Sequence, residues 1–166
     1  LTALPAGEAL FPFFSDLAAR REWKNLQRLL LQVTGAMLAV VIPLTMLMCG
    51  LAPLIVRLLF ERGAFSPEDT ERVALVLSIG VFQVPFYIAS SLASRLVVSM
   101  QASRFMLGMA AFSLTINIVF NALLMRKLGV AGIALSTVIV HLCSAVAIYG
   151  FAFRRIRQRI RQEVKS

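Results

Sequence analysis

Long apolar runs alternate along the chain with short polar clusters. A helix needs about 20 apolar residues to cross a bilayer. Four segments reach that length, at about residues 30–49, 67–100, 105–125 and 130–153. The pattern therefore predicts an all-α fold, a polytopic membrane helix bundle with about four transmembrane helices, an N-terminal elbow helix and a short interfacial helix.

Prolines and glycines predict where the first apolar run bends and ends. Residues 29–60 would make a helix longer than the roughly 30 Å of hydrocarbon. We therefore expect the first span to stop at Gly50 and Pro53, and a short interfacial helix to follow over residues 53–61. Pro43, inside the span, is expected to kink it.

The second span has a clear start signal. Ser66 is typical of an N-cap, Pro67 of the first helical position, and Asp69 of the acid that completes a capping box. Pro85 predicts a kink further along. The fourth span begins with small residues over 129–134, which favour close packing between helices.

Composition and charge support a membrane protein over other classes. The chain is 59% hydrophobic and 15% charged, with a formal net charge of +9. The basic residues flank apolar spans and form no basic face on a soluble domain, so we exclude nucleic acid as a partner. The two cysteines lie in apolar runs without a CxxC pair, and are expected to be small buried side chains.

The positive-inside rule predicts the orientation of the spans. With four spans, both termini lie on one side, and that side carries 12 of the 17 basic residues. We expect this side to be cytoplasmic. The chain divides into the end of a preceding span plus a cytoplasmic elbow helix (1–28), a four-span region (29–153) and a basic cytoplasmic tail (154–166). Trp23 is expected to anchor the elbow at the headgroups, and the tail to attract anionic lipids.

Four short motifs together resemble the lipid II flippase family (MurJ, also called MviN). Residues 59–66 (LFERGAFS), with Asp-Thr at 69–70, resemble its "LFxRGAF…DT" signature. Residues 10–15 (LFPFFS), 117–121 (NIVFN) and 128–137 (LGVAGIALST) resemble three further motifs in the family's order. The resemblance implies the end of span eight and spans nine to twelve, which form part of the C-terminal lobe of a two-lobe transporter.

By this resemblance, the chain is a fragment of a flippase of the bacterial inner membrane. It would move a polyprenyl-diphosphate-linked sugar, in the first place lipid II, by alternating access. Its partners would be that lipid-linked oligosaccharide and an N-terminal lobe missing from this chain. Between spans ten and eleven, the family usually has a stretch with an acid and a proline, and residues 98–106 (VSMQASRFM) lack both. Another polyprenyl-linked sugar therefore also fits as the cargo. The alternatives are a cation-coupled drug or metabolite antiporter of the same superfamily, and a non-transporting scaffold subunit.

Five polar residues are candidates for binding the substrate. Arg95, near the cytoplasmic end of the second span, suits a diphosphate contact, although an arginine there also snorkels to headgroups. Arg104 either sets topology or gates the inner face. Gln83 precedes the Pro85 kink, and Asn117 and Asn121 share one helix face, where asparagines usually join helices.

The chain carries no pattern of a catalytic, cofactor or metal site. We find no Ser/His/Asp set, no glycine-rich phosphate loop and no His/Cys metal spacing. His141 lies midway along the fourth span. A neutral, hydrogen-bonded histidine is the favoured interpretation over a proton relay, because no acid shares its span. We therefore predict a transporter and not an enzyme.

Overall fold

The computed structural model describes residues 12–60 and 66–163, and these residues form helices joined by short turns. Helix α1 covers residues 12–19 of the described part. The others are α2 (Trp23–Phe60), α3 (Pro67–Val81), α4 (Gln83–Ser99), α5 (Ser103–Leu128) and α6 (Val130–Glu163). Four stretches are long and apolar enough to cross a membrane: α2, α3 with α4, α5, and α6. The all-α bundle is confirmed.

Helix α2 does not end where the sequence predicts. It runs unbroken for 38 residues through Pro43 and Pro53, about 57 Å at a rise of 1.5 Å per residue. The prediction of a separate interfacial helix at 53–61 is therefore wrong over its described residues, 53–60. Pro53 withholds a hydrogen bond from the carbonyl of Cys49, and the Ser78 hydroxyl of α3 donates to that carbonyl at 3.5 Å. A neighbouring helix thus supplies a weak replacement bond, which sequence periodicity does not reveal.

The second span starts as predicted and is interrupted close to Pro85. The Ser66 hydroxyl accepts from the Asp69 backbone N–H at 3.2 Å, and the Ser66 N–H donates to the Asp69 carboxylate at 3.1 Å. This reciprocal pair is the expected capping box. The span is interrupted at Phe82, between α3 and α4. The Pro85 ring conflicts with the carbonyl four residues earlier, at Val81, where α3 ends.

Helices α5 and α6 form a tight antiparallel hairpin. Gly129 turns the chain between them with a φ of 59°, a conformation that favours glycine. One turn later Gly132 lies against α5, where a Cβ atom would come within 2.3 Å of the Leu124 carbonyl oxygen. The predicted role of the small residues in close packing is confirmed at this position.

The N-terminal elbow differs from the expected polar helix. The chain turns at residues 20–22, and the basic residues after Trp23 already belong to α2. The predicted boundary after residue 28 therefore falls within a helix. Trp23 is 8% exposed, with the Arg159 guanidinium 5.7 Å from its ring centre. It is thus a covered core residue, and the expectation of a headgroup anchor is wrong. Residues 1–11 lie outside the described part.

The main core lies at the end of the bundle where the chain's basic elbow and tail meet. It joins α1, α2, α4, α5 and α6, and α6 packs against all four preceding long helices. Leu26, Leu30, Leu96 and Ile156 are fully buried there. A smaller cluster between α2 and α3 is formed by Ala52, Val56 and Ala74. Many large apolar side chains elsewhere stay exposed, as expected for surfaces that face lipid or another lobe.

We expect Gly132→Ala to destabilise the α5–α6 hairpin. The added Cβ meets backbone, which cannot rotate away, and overpacking of this kind costs about 1–3 kcal/mol. Thermal unfolding of the full-length protein in detergent would show a lower midpoint. Gly150→Ala is the matched control, because a Cβ at this exposed helical site meets nothing within 4 Å. Equal midpoints for the two variants would contradict the close approach at Gly132.

Candidate functional site

The two asparagines of α5 belong to a polar seam between α5 and α6. The Asn121 side-chain amide donates to the Asn117 oxygen at 2.9 Å. The hydroxyl of Ser136, a fully buried residue of α6, donates to the Asn121 oxygen. The two amides and the hydroxyl therefore form a connected chain across the hairpin. This is the helix-joining arrangement that the sequence favoured.

The other three candidates lie along α4 and at the start of α5, apart from this seam in sequence. Gln83 is half-buried at the first position of α4, directly after the break at Phe82. Arg95 is half-buried near the opposite end of the same helix, and Arg104 is exposed in the first turn of α5. The structure therefore does not gather the five predicted residues into one site.

A hydroxyl-rich pocket of about 300 Å³ lies between α4, α5 and α6. The Ser90 hydroxyl donates to the Tyr87 carbonyl at 2.9 Å, and the Ser94 hydroxyl donates to the Ser90 carbonyl at 2.7 Å. Across the pocket, Ser113 of α5 and Ser144 of α6 share a hydrogen bond of 2.9 Å. Four of the five serines that line the pocket therefore bond within their own helix or to each other, and most of the surface that faces the pocket is apolar.

His141 lines the same pocket. Its ring meets the Tyr87 ring edge-on, with centroids 5.4 Å apart and planes at 81°. No carboxylate is among the described residues that line this pocket. Arg95 is not among the lining residues, but it directly follows the pocket residue Ser94 and lies one helical turn from Ser91.

The pocket was missed by the sequence analysis. Ser90, Ser91 and Ser94 have the spacing of a single helix face, and this signal was available. The partners Ser113 and Ser144 are 31 residues apart, and only the tertiary packing brings them together. A second buried polar contact, between the hydroxyls of Thr34 and Tyr149 at 2.5 Å, joins α2 to α6 in the same way.

The pocket hydroxyls take part in hydrogen bonds within and between the helices. Among the described residues, no group of three or more His, Cys, Asp or Glu side chains is placed to hold a metal ion. What the pocket offers is a set of neutral hydroxyls and one imidazole inside a membrane bundle.

A comparison with protein families decides what kind of bundle this is. The family model of Lipid II flippase MurJ matches residues 4–166, nearly the whole chain. The chain belongs to the MurJ family. The resemblance seen in the motifs is thereby confirmed, and neither the antiporter nor the scaffold alternative is favoured. Together with four apolar helices, this makes the chain part of a multi-pass inner-membrane protein.

Individual members of the family give the same result. A probable lipid II flippase MurJ of Synechocystis is 31% identical over 147 residues, which is 87% of this chain and 27% of that protein. The one of Bdellovibrio bacteriovorus is 27% identical over 150 residues, 90% of this chain and 29% of its own length. The chain thus spans less than a third of these relatives. No solved structure matched the chain.

We expect the Asn121–Ser136 contact to contribute measurably to the α5–α6 pairing. Asn121→Ala, Ser136→Ala and the double variant form a double-mutant cycle, and interhelical hydrogen bonds in membranes give coupling of about 0.6–1.7 kcal/mol. The measurement is unfolding free energy of the full-length protein in mixed micelles. As control, Thr115→Ala with Ser136→Ala should be additive, because the Thr115 hydroxyl donates to its own helix at the Ala111 carbonyl. If the changes in unfolding free energy were additive in both cycles, the result would contradict an energetic contribution of the Asn121–Ser136 contact.

Proposed function

We propose that this chain forms part of the C-terminal lobe of a flippase that moves a polyprenyl-diphosphate-linked sugar, lipid II in the first place, across the inner membrane. The observation that carries the proposal is the family match over residues 4–166, combined with four membrane-spanning stretches. The relatives bear the name of probable lipid II flippases. The protein would act by transport and not by catalysis.

The physical task explains why such a protein needs polar pockets. A sugar diphosphate loses its hydration in hydrocarbon, and the loss is costly unless protein groups replace the water. The hydroxyl-rich pocket between α4, α5 and α6 offers such groups to sugar hydroxyls along the route. Two lobes that rock against each other would open the route alternately to each side.

Arg95 is our candidate for the diphosphate. It directly follows Ser94, which lines the hydroxyl-rich pocket, and a planar guanidinium binds phosphate oxygens through two parallel hydrogen bonds. Arg104, Gln83, Asn117 and Asn121 remain candidates of second rank. The two asparagines already bond within the α5–α6 seam, which leaves them less capacity for cargo.

The remaining partners are the lobe that this chain does not include and the lipids of the inner leaflet. The chain covers 27–29% of the two relatives described, so most of a cargo route would be built elsewhere. The exposed arginines of the α6 tail, Arg154, Arg157, Arg159 and Arg161, would be attracted to anionic lipids by about 1 kcal/mol for each residue near the surface.

We expect the purified full-length protein to move a fluorescent polyprenyl-diphosphate sugar across liposome membranes. Arg95→Gln should slow this transfer at least about tenfold, as expected for the loss of a charge-assisted hydrogen bond, and Arg95→Lys should restore part of it. Arg126→Gln, an exposed arginine at the end of α5, is the control and should leave the rate unchanged.

Two results separate the parts of this proposal. Folded wild-type protein that transfers no more probe than empty vesicles would contradict the flippase function. Normal transfer by Arg95→Gln would contradict the role of Arg95 alone. Unfolding midpoints, measured for every variant, identify any variant that has lost its fold.

We expect Glu68 and Gln158 to face opposite compartments. Both are exposed, and the predicted threading puts residue 68 outside and residue 158 in the cytoplasm. Each would be changed to cysteine in a full-length protein whose Cys49 and Cys143, together with any further cysteine, are replaced by serine. A membrane-impermeant maleimide applied to whole spheroplasts should label Glu68→Cys alone. Labelling of both, or of Gln158→Cys alone, would overturn the orientation.

A further inference from the structure

A second cavity lies at the opposite end of α4 from Gln83, away from the hydroxyl-rich pocket. It has a volume of about 490 Å³ and is bounded by the turn between α1 and α2, the turn between α4 and α5, and the tail of α6. We call it the elbow cavity. Its polar lining residues are Ser15, Arg21, Ser99, Gln101 and Arg159, and its apolar lining includes Trp23, Val98 and Met100. The volume is in the range of small-molecule sites.

The elbow cavity is cationic. Arg21 and Arg159 both line it, and no acid does so among the described residues. The neighbouring Arg20 is paired with Asp16 at 3.1 Å, whereas the ion pairs between described residues include neither Arg21 nor Arg159. The Arg159 guanidinium is also held in place, 5.7 Å from the centre of the Trp23 ring. Two positive charges therefore share one concave surface.

Two strained residues lie in the same cavity. Arg21 and Gln101 have φ angles of 60° and 56°, and they are the non-glycine residues with positive φ in the described chain. Each ends a helix in a Schellman motif, with N–H bonds from Glu22 to Leu17 at 3.0 Å and from Ala102 to Val97 at 3.3 Å. Glycine is usual at such positions.

The strain is informative because glycine would relieve it. A left-handed conformation costs a non-glycine residue about 1–2 kcal/mol, and such costs collect at sites where a side chain has a function. Here both side chains that replace the usual glycine line the elbow cavity. One supplies a guanidinium and the other an amide, which are donors suited to an anion.

We propose that the elbow cavity binds the phosphate headgroup of an anionic lipid of the phosphatidylglycerol class. Two guanidinium groups suit a phosphodiester. The lining includes Val98 of α4, a helix within a membrane-spanning stretch, and Ala18, Ala19, Trp23 and Met100 at the helix ends, so the site is part polar and part apolar at the end of the bundle. That combination fits a lipid better than a free phosphate. The predicted cytoplasmic side is also where anionic lipids attract basic residues. The proposal does not depend on the cargo of the transporter.

The test is lipid retention by the purified full-length protein in detergent, measured by native mass spectrometry. Detergent micelles provide no anionic surface, so general attraction by the basic tail is absent. The unmodified protein should retain phosphatidylglycerol in preference to phosphatidylcholine. Arg21→Gln with Arg159→Gln should weaken that retention at least about tenfold. Arg154→Gln with Arg157→Gln removes the same charge from exposed tail residues outside the cavity and should change it less than about twofold.

Arg21→Gly separates binding from folding. Glycine suits the backbone at this position, so the unfolding midpoint should stay the same or rise while retention of phosphatidylglycerol falls. Unchanged retention in Arg21→Gly and in the double cavity variant would overturn the proposal. Equal losses of phosphatidylglycerol retention in the cavity and tail variants would also overturn it. Such a result would indicate that retention depends only on the net positive charge and not on the cavity. Displacement of the lipid by inorganic phosphate at equal concentration would assign the cavity to a soluble anion and overturn the lipid assignment.

Discussion

The backbone hydrogen bonds inside the bilayer are the constraint on which this structure depends. A peptide group in hydrocarbon finds no water, so it bonds within its own helix or to a neighbour. Two of the prolines within the spans, Pro53 and Pro85, show two solutions to the same problem. At Pro53 the helix continues, and Ser78 of the adjacent helix donates to the carbonyl of Cys49. At Pro85 the helix is interrupted, and α3 ends at the residue whose carbonyl the ring opposes.

The same constraint explains how polar side chains join the helices. Hydroxyls and amides in an apolar medium need partners, and the partners found here lie largely on α6. Tyr149 bonds to Thr34 of α2, Ser144 to Ser113 of α5, and Ser136 to Asn121 of α5. Helix α6 also packs against each of the other long helices. It is therefore the central element of the bundle, although its apolar pattern alone resembles that of the other three spans.

Features that depend on local sequence could be predicted. The four spans follow from run length, the capping box from the spacing of Ser66 and Asp69, and the tight α5–α6 turn from the small residues around Gly132. The four motifs identified the protein family, because several short matches in the right order are hard to obtain by chance.

Features that depend on which helices are neighbours could not be predicted. The continuity of α2 past Pro53 involves Ser78, a residue of another helix. Burial of Trp23 depends on the α6 tail, whose Arg159 covers the ring. The hydroxyl-rich pocket needs three helices to meet, and although Ser90, Ser91 and Ser94 share one face of α4, the sequence does not show that Ser113 and Ser144 of two other helices lie opposite them. In each case the missing information was a contact between segments far apart in the chain.

The distribution of charge in this chain bears on how a two-lobe flippase divides its task. The pocket between α4, α5 and α6 is lined by neutral groups, and Arg95 is the cation next to it. Neutral hydroxyls can replace the hydration of a sugar, but a diphosphate needs compensating positive charge. A single arginine supplies only part of that charge. The matched region makes up 27–29% of the length of the two relatives, so if the family's cargo crosses beside this region, most of the compensating cations must come from outside it. The helices described here would then contribute hydrogen-bonding and apolar surface, and the positive charge that compensates a diphosphate would come from other parts of such a transporter.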